Sequence, residues 1–144
     1  MRTKYFIILL SHLVFSCSTE VTEIDLGSKT KYSVSPIYNA EKEIVSNDTY
    51  DAGEVVKGEI IEAKFEIKNE GDIPLILNKI VPGCGCTNVT DAPNNPLSPG
   101  ESFIIRADVN TAVLDGKGEI KKSIRLDANV DPYPLVLYIT ATLN

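Results

Sequence analysis

Ile61-Glu62-Ala63-Lys64-Phe65-Glu66-Ile67-Lys68 alternates apolar and charged side chains without a break. Successive side chains of a strand point to opposite faces, so this is how a strand with one buried and one wetted face is written; a helix would scatter the same residues around its axis. The device recurs downstream. Phe103, Ile105, Ala107 and Val109 alternate with Ser102, Arg106 and Asp108, with Ile104 the exception, and Ile124, Leu126, Ala128 and Val130 alternate with Ser123, Arg125, Asp127 and Asn129. Leu135 to Leu143 is β-branched, aromatic and largely apolar, as suits a central strand. Turn-forming clusters lie between: Asn69-Glu70-Gly71-Asp72, Ser98-Pro99-Gly100-Glu101, Asp115-Gly116-Lys117-Gly118 and Asp131-Pro132-Tyr133-Pro134. No segment has a helical period. About seven short strands in roughly 100 residues, with a turn every ten or so, predict an all-β fold: an antiparallel β-sandwich of the immunoglobulin type.

The other end of the chain is written differently. Residues 1–16 carry Arg2 and Lys4, then an apolar run from Tyr5 to Leu10 and Leu13 to Phe15, then Ser16 before Cys17. This is the layout of a secretory signal, and its apolar part is shorter than the roughly 20 residues a bilayer span needs. Val14-Phe15-Ser16-Cys17 resembles a bacterial lipobox, with Phe15 where a smaller residue is usual. The expected mature chain starts at Cys17, held on a membrane through lipid on that sulfur, each buried CH₂ contributing about 0.8 kcal/mol. Residues 18–42 mix polar, charged and isolated apolar side chains with no sustained period and read as a linker, although the apolar positions around Tyr32 to Tyr38 could dock as an edge strand. The expected organisation is a signal at 1–16, a lipidated cysteine and linker at 17–42, and a sandwich domain at 43–144.

Processing also decides what chemistry remains. His12, the only histidine, leaves with the signal, and the loss of Arg2 and Lys4 takes the 14 basic residues to 12 against 20 acidic ones, a net charge of -8. A chain this acidic with scattered basic residues repels phosphates, so nucleic acid is not an expected partner. Without histidine, Ser-His-Asp and Cys-His nucleophiles are excluded. Glu41 with Glu43, or Glu59 with Glu62, lack any sign of the apolar pocket that paired-carboxylate catalysis requires and read as solvated faces. Asp108 to Glu119 does not space its glycine as a calcium loop would, and Asp115-Gly116-Lys117-Gly118 reads better as a hairpin turn.

Several stretches carry a family resemblance. Asp51-Ala52-Gly53-Glu54-Val55-Val56-Lys57-Gly58-Glu59, Phe65 to Gly71 with its Asn69-Glu70-Gly71, Pro74-Leu75-Ile76-Leu77, Cys84-Gly85-Cys86-Thr87 and Pro99-Gly100-Glu101 follow one another in that order. The series resembles the bacterial domain of unknown function 1573, over about Ile44 to Leu143. One departure is Ala52, where many members carry phenylalanine before the glycine. The resemblance implies an immunoglobulin-like fold on lipoproteins of Bacteroidetes type, and it marks Asn69, Gly71, Gly85 and Thr87 as motif positions. The family is also similar to the immunoglobulin-like domains of Hydin and its relatives, which act as binding or scaffolding modules. It implies no activity and no cofactor. The expected location is the bacterial cell envelope, the outer membrane favoured, with an unidentified envelope protein or glycan as partner.

Cys84 and Cys86 are the remaining reactive groups. Residues two apart on an extended chain share a face with α-carbons about 6.6 Å apart, so a bond between them requires a bend, and Gly85 offers the backbone freedom for one. Three readings stay open. A local disulfide, or two half-buried thiols, would shape the turn after a strand from Leu75 to Val81, and cysteines outside the cytosol usually pair. The pair also suits thiol exchange by proximity, although no histidine or basic run lowers a thiol pKa. Metal binding is the weakest: a closed zinc site wants four ligands, which only two copies of the pair would supply, while Cu(I) suits soft thiolates. The favoured function is a non-catalytic envelope lipoprotein domain that binds or scaffolds; the alternative is an envelope thiol protein using Cys84 and Cys86 for redox exchange or for copper or zinc.

Overall fold

The computed structural model describes residues 27–39, 44 and 46–144. The signal at 1–16, Cys17 and the linker residues up to 26 lie outside the described residues. Eight strands follow in chain order: β1 (Tyr32–Pro36), β2 (Thr49–Val55), β3 (Ile60–Asn69), β4 (Leu77–Pro82), β5 (Thr87–Thr90), β6 (Ser102–Asn110), β7 (Gly118–Ala128) and β8 (Leu135–Leu143). They form two four-stranded sheets, ordered β1-β3-β6-β5 and β2-β8-β7-β4. This is the expected sandwich of immunoglobulin type.

The alternation seen in the sequence decides which faces meet. In β3 the side chains of Ile61, Ala63, Phe65, Ile67 and Asn69 turn inward while Glu62 and Glu66 stay in water. In β8 the inward set is Leu135, Leu137, Ile139, Ala141 and Leu143. Phe65, Ile67, Ile105 and Val109 of one sheet and Ile124, Leu126, Leu137 and Ile139 of the other are all 0% exposed. Each such side chain contributes about 1.5–3 kcal/mol relative to solvent exposure, which is why the two faces stay together. Ile104, the exception to the alternation in β6, remains exposed on the outer face.

Four features differ from the sequence expectations. Residues 32–36, assigned to the linker of 17–42, form β1, which runs antiparallel along β3 with Val34 opposite Ile67; the domain therefore starts before residue 43. Val34 is buried and Tyr32 packs on the core, so a five-residue strand with two apolar positions suffices once β3 supplies the ladder. The sandwich is not wholly antiparallel: β2 runs parallel to β8. Strands so far apart in sequence share no turn whose chemistry could announce their direction. Their register breaks between Asp51 and Glu54, where Gly53 takes a φ of 72° and the Asp51 carboxylate accepts its N–H at 3.0 Å, the geometry of a bulge. Finally, Asp115-Gly116-Lys117-Gly118 is no hairpin, because β6 and β7 lie in different sheets. The chain crosses between them through a 3-10 turn at Thr111–Val113, capped by the Asn110 side chain accepting from Ala112 N–H at 3.0 Å.

Candidate functional site at a sheet crossover

β4 and β5 also belong to different sheets, and PGCGCT, residues 82–87, is the passage from one to the other. Pro82 closes β4, and the Gly83 N–H extends that ladder by donating to the Ser123 carbonyl at 2.8 Å. A side chain at Gly83 would sit 2.6 Å from Ser123 Oγ, so the approach to β7 requires glycine. Three residues later the Cys86 carbonyl accepts from Asn110 N–H at 2.9 Å, which starts the ladder of the opposite sheet. The Thr87 N–H donates to the Cys84 carbonyl at 3.3 Å and closes the turn.

Within this turn Cys84 and Cys86 are joined by a disulfide, with α-carbons 5.2 Å apart. That is tighter than the roughly 6.6 Å of an extended segment, and the contraction is the turn itself. Cys84 is half-buried, whereas Cys86 and Thr87 are buried. The Thr87 hydroxyl lies beside the bonded sulfurs, 3.4 Å from Cys84 Sγ and 3.8 Å from Cys86 Sγ. Gly85 does not play the part expected of it. It takes no left-handed φ, and a Cβ there would meet nothing within 4 Å. The bend is therefore made without a left-handed glycine, and a side chain at this position would meet no neighbour beyond the cysteines themselves.

Among the described residues no three or more His, Cys, Asp or Glu side chains converge as metal ligands. In the bonded state neither sulfur is a thiolate. Arg125, opposite Val81 on β7, is engaged elsewhere: its guanidinium holds the Asp127 carboxylate at 2.7 Å, and that contact raises its pKa further above the ordinary arginine value.

The motif residues are not one site. Asn69 and Gly71 sit at the far end of β3, while the disulfide turn lies by Asn110, which pairs with Ile60 at the near end. Nine residues of strand separate the two ends, about 30 Å. Asn69 is 0% exposed and fully bonded. Its amide donates to the carbonyls of Ile73 and Leu97 at 2.8 and 2.9 Å, and its Oδ1 accepts from Thr30 Oγ1 at 2.8 Å and Gly71 N–H at 3.1 Å. A Cβ on Gly71 would overlap Thr30 Oγ1 and stand 2.9 Å from Lys31 N. These two residues lock a corner and have no chemistry to offer.

Sequence reading missed a groove of about 550 Å³ between the edge strands β4 and β5. Its lining mixes apolar Leu77, Ile80, Pro82, Val89, Ala92 and Pro93 with polar Asn78, Lys79, Thr87, Asn88 and Asn94. Pro82 and Thr87 flank the cysteine pair, so the groove abuts the disulfide turn. The facing of the β4 and β5 edges across a gap left no sequence signal beyond Thr87 and Val89 falling on one face.

The topology and the inward alternation of both sheets define an immunoglobulin-like β-sandwich. The sequence pattern of the family described as protein of unknown function (DUF1573) matches residues 44–143, and the chain belongs to that family. A protein of unknown function from Porphyromonas gingivalis W83 has a similar structure, with a TM-score of 0.64 at 20% identity over 86% of this chain and 51% of that one. This chain thus spans about half of that structure. The PapD-like domain 7 of human CEP192 is similar at a TM-score of 0.56 and 12% identity, over 96% of this chain and 97% of that one. The VesB protease of Vibrio cholerae matches at 0.52 and 14% identity, with 67% of this chain and only 30% of the protease covered. At such identities the likeness is one of fold. No curated protein matches by sequence.

Proposed function

We propose that this chain is a lipoprotein of the bacterial cell envelope, anchored at Cys17, whose sandwich domain binds another envelope macromolecule and performs no catalysis. The observation that carries the reading is the groove between β4 and β5, where two sheet edges face each other without joining. Leu77, Ile80 and Val89 on its walls pack on the core and are only partly covered. An extended segment of a protein partner laid along β4 would gain main-chain hydrogen bonds from the free side of that edge and place alternate side chains over these apolar positions. The exposed Lys79 on the same strand guards the edge against indiscriminate pairing. The low identity of the structural relatives supports a fold and lends no activity. The absence of histidine from residues 17–144 supports the non-catalytic reading, and the overall charge of -6 opposes a nucleic-acid partner.

Two measurements test it. Fractionation of cells carrying Cys17→Ser is expected to move the protein from the membrane to the soluble pool; retention in the membrane would remove the anchor from the proposal. In crosslinked envelopes, partners captured by the native protein are expected to be lost with Ile80→Asp while the variant keeps its β-sheet circular dichroism. An identical partner set would place the binding surface elsewhere.

A further inference from the structure

We infer that the Cys84–Cys86 disulfide is a thiol–disulfide exchange site, in which Cys84 is the sulfur attacked, Thr87 donates a hydrogen bond to the thiolates formed, and the reductant is a dithiol. The turn does not depend on the bond. Gly83 N–H on the Ser123 carbonyl at 2.8 Å and Asn110 N–H on the Cys86 carbonyl at 2.9 Å tie the two ends of the turn to opposite sheets through backbone alone. The ring encloses a sequence separation of only 2, so the bond restrains an unfolded chain very little. A bond that holds little else together can open and close within the folded domain.

Access is unequal. Cys84 is half-buried, with the exposed Gly83 and Gly85 on either side of it. Cys86 is 9% exposed and shielded. The hydroxyl of Thr87, within reach of both sulfurs, is placed to stabilise whichever leaves. The groove runs up to this turn through Pro82 and Thr87, so a segment lying in it would bring a thiol to Cys84.

The electron count closes as follows. A partner thiolate forms an S–S bond to Cys84 Sγ; the Cys84–Cys86 bond breaks, and its electron pair leaves on Cys86 Sγ as a thiolate. The partner's second thiolate then attacks its own sulfur in the mixed disulfide and releases Cys84 as a thiolate. The pair takes up two electrons and, from water, two protons, and the partner dithiol ends as a disulfide.

The test uses the folded domain with dithiothreitol and oxidised glutathione as probes. Dithiothreitol is expected to open the bond with the circular dichroism unchanged, and oxidised glutathione to close it again. With Cys86→Ser, Cys84 is expected to take up glutathione at least about ten-fold faster than Cys86 does in Cys84→Ser. Thr87→Val is expected to slow re-oxidation by about ten-fold, with Thr87→Ser restoring the rate. Reduction only on unfolding, or equal labelling of the two single variants, or a Thr87→Val rate equal to the native one would each overturn the assignment. Exchange with these small thiols does not require the apolar groove, so Ile80→Asp is expected to leave it unchanged whatever its effect on partner binding.

Discussion

An amide that is fully buried at the last position of a strand persists only if every polar atom finds a partner, and Asn69 meets that condition with four side-chain bonds. Asn69→Ala would strip partners from the Ile73 and Leu97 carbonyls, the Thr30 hydroxyl and the Gly71 N–H. We expect a loss of about 3 kcal/mol in urea unfolding. Gly71→Ala is expected to cost about 1–3 kcal/mol, since the new Cβ collides with Thr30 Oγ1 and the neighbouring backbone cannot easily withdraw. Gly85→Ala is expected to fall within about 0.5 kcal/mol of the native protein, because the space beside it is empty. Equal costs at Gly71 and Gly85 would refute this contrast. Both glycines sit in family motifs, yet their reasons differ: Gly71 permits a close approach, and Gly85 leaves room.

β1 shows what a short strand needs. Beyond its ladder to β3, it is tied by Ser33 Oγ, which donates to the Glu70 carboxylate at 3.0 Å, while Lys68 Nζ holds the same carboxylate at 3.0 Å. The Lys68 ammonium first and the Ser33 hydroxyl second lower the Glu70 pKa below its ordinary 4.5. A lowered folded pKa means that the tie is fully present above about 4.5 and is lost as the pH falls through the folded value. We expect Ser33→Ala to raise the Glu70 pKa in an NMR titration, and amide exchange in β1 to accelerate relative to β3 on acidification. A Glu70 pKa indifferent to Ser33 would break this account. A chain beginning at residue 43 would lose β1 and Thr30 together, uncovering one edge of β3 and unpairing part of Asn69. Its urea midpoint is expected to fall well below that of a chain beginning at residue 27; equal midpoints would show that β1 adds nothing.

The two long sides of the sandwich are closed differently. At the β1/β2 side Tyr38 stacks on Tyr50 at 4.7 Å, and Tyr50 meets the edge of Phe65 at 6.3 Å, so aromatic rings close part of the seam beside a cavity of about 690 Å³ lined by Tyr32, Val34, Asp48 and Leu135. At the β4/β5 side the seam holds the groove, with the cysteine turn crossing one end and the backbone bridge between Leu75 and Leu97 closing the other. Because that turn is also held by backbone bonds, reduction of the disulfide is expected to cost on the order of 1–2 kcal/mol, a Tm decrease of about 5 °C, against a total stability of about 5–15 kcal/mol. Calorimetry with and without reductant measures it. A collapse of the transition would make the bond a structural brace.

The amino-acid sequence by itself determined the elements and their inward faces. In Ile61 to Lys68 and Leu135 to Leu143 one buried face must alternate with one wetted face, and that periodicity is local. It also placed Cys84 and Cys86 within reach of each other, since only Gly85 separates them. Only the tertiary structure decided which sheet each strand joins. The parallel run of β2 beside β8, the recruitment of β1 by β3 and the crossing at Asp115 to Gly118 all depend on pairings between strands distant in the chain. The same holds for the groove, because a gap between two edges exists only once both sheets have formed.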